Sequence, residues 1–233
     1  DIFHPDGTRG NDRTARFVAQ HPERFIGFAY VSPLMADRVV PELERAVDDL
    51  GFRAIKLYPP YTRYPLDDPI WDPVFEFANE RGLAVLSHTD TSRESQPMLL
   101  AQAAQRFPRA RFVAGHSGNI EPARAQAIAA ARRYPNFYLE TCSTYRSPGV
   151  IEELVREAGA DRVLFGKDSY AADEFPYYWR TFETRDEYFD YYRNYHAFWQ
   201  LYGMGLPDDV LQALYYGNAL RIIPNMPTAA FPG

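Results

Sequence analysis

Short apolar runs alternate with amphipathic stretches along most of the chain. The runs at 25–30, 53–58, 83–88, 111–116, 136–141 and 162–167 have the length and residue types of strands. Between them, 38–50 places Val39, Leu43, Ala46, Val47 and Leu50 on one helical face. The stretch 69–81 does the same with Trp71, Val74, Phe75 and Ala78, and Asp67-Asp68 ahead of Pro69 marks its start. Gly51, Gly82 and Gly159 each follow a helical stretch, where a left-handed residue is wanted.

Equivalent strand positions recur at intervals of 28, 32, 28 and 27 residues: Phe28 to Lys56, Lys56 to His88, His88 to His116, and Thr141 to Asp168. Each interval holds one strand, one helix and two short loops, which predicts a parallel sheet covered by helices. No glycine-rich phosphate loop follows any of these strands, so an open dinucleotide-binding sheet is disfavoured. The expected class is α/β, as a (β/α)8 barrel of the TIM type. Counting a stub at Ile2-Phe3, seven strands can be traced, and a closed barrel needs eight. The first strand and its helix are therefore expected to be missing ahead of Asp1.

A single barrel domain is expected over 1–233, with an aromatic-rich helical insertion at 171–205 and a C-terminal helix and tail at 206–233. Helices are expected at 186–200 and 207–216. The span from Phe175 to Tyr202 contains 13 aromatic residues. Packing against the barrel is the first explanation for them, and a lid or subunit interface the second.

Composition narrows the classes. Lys+Arg 25 against Asp+Glu 31 gives a net charge of −6, which argues against nucleic acid or an anionic membrane as partner. A hydrophobic fraction of 46% supports a sizeable core. One cysteine, Cys142, excludes an intrachain disulfide framework and fits a reducing, cytoplasmic setting. No apolar run is long enough to span a bilayer.

Strand alternation then picks out candidate chemistry. Ala84, Leu86 and His88 share one face, as do Phe112, Ala114 and His116, and Leu164, Gly166 and Asp168, with Lys167 pointing away. Two imidazoles and a carboxylate thus end three strands, and in a parallel barrel those ends meet at one rim. Nitrogen and carboxylate donors suit Zn²⁺ or a similar divalent ion. Lys56, sharing a face with Ala54 and Tyr58, would be a buried cation near that rim, able to bind a substrate carboxylate. Thr89 and Asp90 would be rim residues contacting substrate. Glu140 has no assigned direction. Cys142 fits a small buried hydrophobe, and His4, His21 and His196 fit the surface.

The runs RFIGFAYVSP, LERAVDDLGFRAIKLYPP, DDPIWDPVFEFANERGLAVLSHTD, RFPRARFVAGHSGN, YPNFYLETCST, GADRVLFGKDS and LPDDVLQALYYGNALRI resemble, in order and spacing, the amidohydrolase-related group of the amidohydrolase superfamily. This group, amidohydrolase family 2, includes aminocarboxymuconate-semialdehyde decarboxylase and related aromatic-acid decarboxylases. The resemblance implies a distorted barrel of the metal-dependent hydrolase kind, with a divalent metal, usually zinc, at the C-terminal rim. It assigns His88 and Asp168 as metal ligands, with Asp168 also moving protons and His116 steering the metal-bound water or substrate. Lys56, Tyr58 and Asp90 become substrate-binding candidates. Departures are also visible. The family's His-x-His pair on the first strand has no counterpart, Tyr58 stands where the family often has His, and Lys167 where it commonly has Ser.

Three functional readings follow. The first is hydrolysis of a C–N or C–O bond in a small molecule through a metal-activated water. The second is non-oxidative decarboxylation of an aromatic or unsaturated acid, with Lys56 or Arg146 neutralising the substrate. The third is a truncated, metal-free barrel without catalysis, whose open sheet edge would be a binding liability. A homodimer burying part of the aromatic segment is a family-level expectation.

Overall fold

The computed structural model describes residues 7–142, 149–168, 171–190, 200–229 and 231. In chain order the elements are α1 (Gly7–Val18), β1 (Phe28–Tyr30), α2 (Ala36–Glu44), β2 (Ala54–Leu57), α3 (Pro59–Thr62), α4 (Asp72–Arg81), β3 (Ala84–His88), α5 (Pro97–Arg106) and β4 (Arg111–Gly115). They continue with α6 (Ala123–Arg133), β5 (Phe137–Glu140), α7 (Val150–Ala158), β6 (Val163–Leu164), α8 (Phe175–Glu183), β7 (Phe189–Asp190), β8 (Gln200–Leu201), α9 (Asp208–Gln212) and α10 (Asn218–Ile222). Local signals act as expected. Asp68 accepts a hydrogen bond from the Ile70 N–H at 2.9 Å ahead of α4, and Gly82 ends that helix at φ 64°.

Strands β1 to β6 form one parallel sheet in sequence order, the progression of a TIM-type barrel. Among the described residues no pairing joins β6 back to β1, so the barrel is incomplete. The stub at Ile2-Phe3 lies outside the described residues. Both sheet faces are covered, as parallel sheets require. Ile55, Val85, Phe112, Leu139 and Val163 turn outward into a core with helix residues such as Leu43, Trp71, Leu100 and Leu154. Ala54, Ala84, Val113, Tyr138 and Leu164 turn inward and are sealed by Ile222 and Ile223 from the C-terminal segment.

Two expectations are corrected. The register of β4 is opposite to that read from the sequence: Val113 faces the interior, and Phe112 and Ala114 face the helices. The helix expected at 186–200 is not formed at its ends. Phe189–Asp190 and Gln200–Leu201 instead pair as antiparallel strands, and 191–199 lie outside the described residues. Buried Phe189 and Leu201 beside exposed Asp190 and Gln200 show strand alternation, which the density of aromatics hides. The aromatics of α8 do pack. Phe165 meets the rings of Tyr178, Phe182 and Tyr215 edge-on at 5.6–6.1 Å, while Trp179 and Tyr188 stay exposed. No helix among the described residues is long and apolar enough to cross a membrane.

Candidate active site

The strand ends β2 to β6 converge on a cavity of about 240 Å³, lined at its polar end by Lys56, His116, Glu140, Cys142 and Asp168. Each side chain arrives there for a local reason. On β2, β5 and β6 it is simple alternation: Lys56 follows inward Ala54, Glu140 follows Tyr138, and Asp168 continues the line of Leu164 and Gly166. His116 arrives differently. Strand β4 stops at Gly115, and His116 and Ser117 adopt φ of 63° and 45°, a left-handed turn that swings the imidazole inward.

That turn is held from several sides. The His116 N–H donates to Glu140 Oε1, and the Cys142 N–H donates to Glu140 Oε2 at 2.6 Å. Ser117 Oγ donates to the Glu140 carbonyl at 2.7 Å and accepts from the Glu140 N–H at 3.0 Å. Thr89 Oγ1 donates to the Gly115 carbonyl at 2.6 Å and accepts from the Gly118 N–H at 3.0 Å. Thr89 is therefore wholly buried and structural, not the substrate-contacting rim residue expected. Gly166 gives Glu140 its room, because a Cβ there would collide with Glu140 Oε2.

His88 is part-buried beside His116, the ring centres 4.7 Å apart and nearly perpendicular. Its Nε2 lies 3.0 Å from Asp90 Oδ2. Tyr58 packs between His88 and Tyr61 at 4.8 and 4.4 Å, so an aromatic row leads from exposed Tyr61 to His116. Asp90 also accepts from the Ser92 N–H and hydroxyl at 2.8 and 2.5 Å. Asp90 thus orients His88. Among the described residues the cavity wall includes neither Asp90 nor, contrary to expectation, His88 or Tyr58, which pack beside it. Of the three expected rim residues, His116 and Asp168 share the cavity and His88 stands behind His116.

Electrostatics separate the charged groups. Burial pushes the Glu140 carboxyl up to about 7; the two backbone N–H groups and Lys56 pull the other way. Desolvation lowers the Lys56 pKa, while Glu140, Asp168 and Cys142 favour its charged form. Burial raises Tyr58, with Tyr61 and Asp168 adding to the effect. Burial also works to raise Asp90, but hydrogen bonds from Ser92 and His88 outweigh it and hold the carboxyl below its usual range. Asp168 is exposed at the cavity mouth. Lys167 turns its ammonium from that mouth toward Glu174. His21 is exposed as expected, whereas His4, His196 and Arg146 lie outside the described residues.

Sequence alternation gives Glu140 no direction and makes Cys142 a packing residue. Cys142 is indeed buried, but it also lines the cavity. Ligand atoms of His116, Glu140 and Cys142 all lie within 4.8 Å of one another. With ligand bonds of about 2.0–2.3 Å, one ion spans donors up to roughly 4.6 Å apart, so small adjustments let these groups share a cation. The imidazole, carboxyl and thiol donors at this rim fit a divalent metal.

The chain and its fold are similar to those of known proteins. The amidohydrolase family model matches residues 1–224. The chain is 26% identical over 255 residues to 2-keto-4-carboxy-3-hexenedioate hydratase of Sphingobium sp. (strain NBRC 103272 / SYK-6), covering 93% of this chain and 70% of that protein. It is 26% identical over 233 residues to gamma-resorcylate decarboxylase of Polaromonas sp. (strain JS666 / ATCC BAA-500), covering 72% and 68%. Among solved structures, a TIM-barrel protein of Bordetella bronchiseptica aligns with a TM-score of 0.71 and 21% identity, over 91% of this chain and 71% of that one. A dihydroxybenzoic acid decarboxylase of Polaromonas sp. JS666, with bound manganese and the inhibitor 2-nitroresorcinol, aligns at 0.66 and 18% identity, over 93% and 74%. The parallel βα succession, the convergent rim and the family match over nearly the whole length lead to one assignment: this chain belongs to the amidohydrolase family.

Proposed function

We propose that the chain decarboxylates a carboxylic acid built on an aromatic or unsaturated frame, without net oxidation or reduction. Lys56 carries this reading: its ammonium lines the cavity and interacts with the charges of Glu140 and Asp168. A cation there favours a substrate that brings a negative charge, whereas the uncharged amide or ester of a hydrolase gains little from it. The names of the decarboxylase and hydratase relatives, both enzymes of organic acids, support the same preference. Hydrolysis of a C–N or C–O bond, the first expectation from the sequence, becomes the second reading.

The residues divide the work as follows. Lys56 pairs with the substrate carboxylate, and the apolar wall of Phe28, Leu86, Val113 and Leu164 takes its frame. His116, fixed by its turn, donates to or accepts from a substrate oxygen. When the bond to the carboxylate breaks, its electron pair stays on the frame carbon and CO₂ leaves. Asp168 relays a proton from solvent to that carbon, so one proton taken from water replaces one CO₂. His116, Glu140 and Cys142, whose ligand atoms lie together, would hold a divalent ion, which when bound polarises substrate oxygens; His88 and Asp168 are the further ligands that the family resemblance implies. Zinc suits nitrogen and sulfur donors and manganese suits oxygen donors, so both serve in the test.

The test loads the full chain with Zn²⁺ or Mn²⁺ and offers 2,6-dihydroxybenzoate, 2-keto-4-carboxy-3-hexenedioate, and a set of amides and esters. Release of CO₂ from the aromatic acid is expected. Turnover of an amide or ester without CO₂ restores the hydrolase reading, and hydration of the hexenedioate alone replaces both.

A further inference from the structure

Lys167 stands one residue before Asp168, and its side chain is 2% exposed. Its Nζ lies 3.1 Å from Glu174 Oε2, itself on a side chain only 9% exposed. The same ammonium donates to the Ala171 carbonyl at 2.7 Å and sits 4.8 Å from the centre of the Phe175 ring. A carboxylate, a carbonyl and an aromatic face thus surround one buried cation.

Stability alone does not account for this arrangement. Desolvating two charges is costly, and well-packed apolar residues of similar volume often serve as well or better. Position offers the better account. The pair ties the residue ahead of Asp168 to the residue ahead of α8, and the Ala171 carbonyl shares the same ammonium. On the other side, Gly166 is tied to the end of β5 by its N–H to Thr141 Oγ1 at 3.1 Å. Asp168 lies between these two anchors and is itself exposed.

We propose that the Lys167–Glu174 pair is a positioning device that holds Asp168 at the cavity mouth for proton transfer. The inference rests on the reading of Asp168 as the proton carrier. Lys167 belongs to the cavity wall, but its ammonium is engaged by Glu174 and Ala171, so the pair acts by fixing the backbone beside Asp168.

The experiment compares wild-type chain with Lys167→Met, the double variant Lys167→Met/Glu174→Met, and Lys167→Arg. Thermal unfolding, amide hydrogen exchange and CO₂ release from 2,6-dihydroxybenzoate are measured on each. Lys167→Met lowers Tm, because it removes the ammonium paired with a buried carboxylate, and the double variant regains Tm. In the double variant, exchange across 165–175 nevertheless stays about tenfold faster than wild type while β3 to β5 are unchanged. Its kcat stays down about tenfold or more with KM within twofold, the signature of a misplaced group rather than lost binding. Lys167→Arg keeps the cation and stays near wild type in both readouts. Wild-type exchange across 165–175 in the double variant overturns the proposal whatever the activity. Fast exchange with unchanged kcat, in a chain that Asp168→Asn inactivates, also overturns it. If Asp168→Asn leaves CO₂ release unchanged, the catalytic reading fails, a result distinct from either of these.

Discussion

Glu140 and Asp168 end neighbouring strands of one rim, yet they are held in opposite ways. Glu140 is buried, with both carboxylate oxygens accepting backbone N–H groups from the segments that carry His116 and Cys142. Asp168 is exposed at the cavity mouth, and its support comes from the flanking backbone. A carboxyl that organises its surroundings must stay put, whereas one that delivers a proton must reach a substrate. The difference assigns holding to the first, of the His116 turn and of an ion, and proton delivery to the second.

Substitutions at the two positions should therefore diverge. Asp168→Asn should cut CO₂ release by about 10²-fold or more while leaving thermal stability within about 0.5 kcal/mol, since the residue is exposed. Steady-state kinetics and a melting curve check both halves, and an intact rate would dissolve the contrast. Glu140→Ala should instead cost about 2 kcal/mol of stability in denaturant titration, because it orphans two buried N–H groups. A stable Glu140→Ala chain would mean that the His116 turn is held by other contacts.

Lys56 sharpens the comparison, since it interacts with both carboxyls. Lys56→Met should raise KM for the acid substrate by about tenfold with a smaller change in kcat, the loss of one charge-assisted contact. The smallest effect concerns pH. Desolvation lowers the Lys56 pKa, so the ammonium gives up its proton before an ordinary lysine at 10.5 does. Only the charged form pairs with a carboxylate. KM should thus rise with pH at values below the ordinary lysine range, and this rise should vanish in Lys56→Met. A KM that is flat with pH in the wild type would separate Lys56 from substrate binding.

Much of this site could be read from residue order alone, and the gaps have physical causes. On β6 regular alternation carries through to the rim and Asp168 lines the cavity, whereas on β3 His88 packs against His116 and Tyr58 and stays out of the cavity wall. On β4, the same counting set Phe112 and Ala114 on the His116 face. The left-handed turn at His116 breaks the count: the imidazole does reach the cavity, but for another reason. Glu140 was undirected because both faces of a parallel strand are buried, and FYLE shows no polar side. A usable signal existed, since Glu140 stands 28 residues before Asp168, the spacing seen between other rim residues. The stretch 186–200 misled because its aromatics are so dense that they fit helical and strand periods alike.

The most direct test of the account follows the proton that Asp168 is held to deliver. Metal-loaded chain is given 2,6-dihydroxybenzoate with ¹³C in the carboxyl group, in D₂O. The account predicts ¹³CO₂ together with one deuterium at the vacated ring carbon, and loss of both in Asp168→Asn. Equal ¹³CO₂ release and deuteration in Asp168→Asn would contradict it.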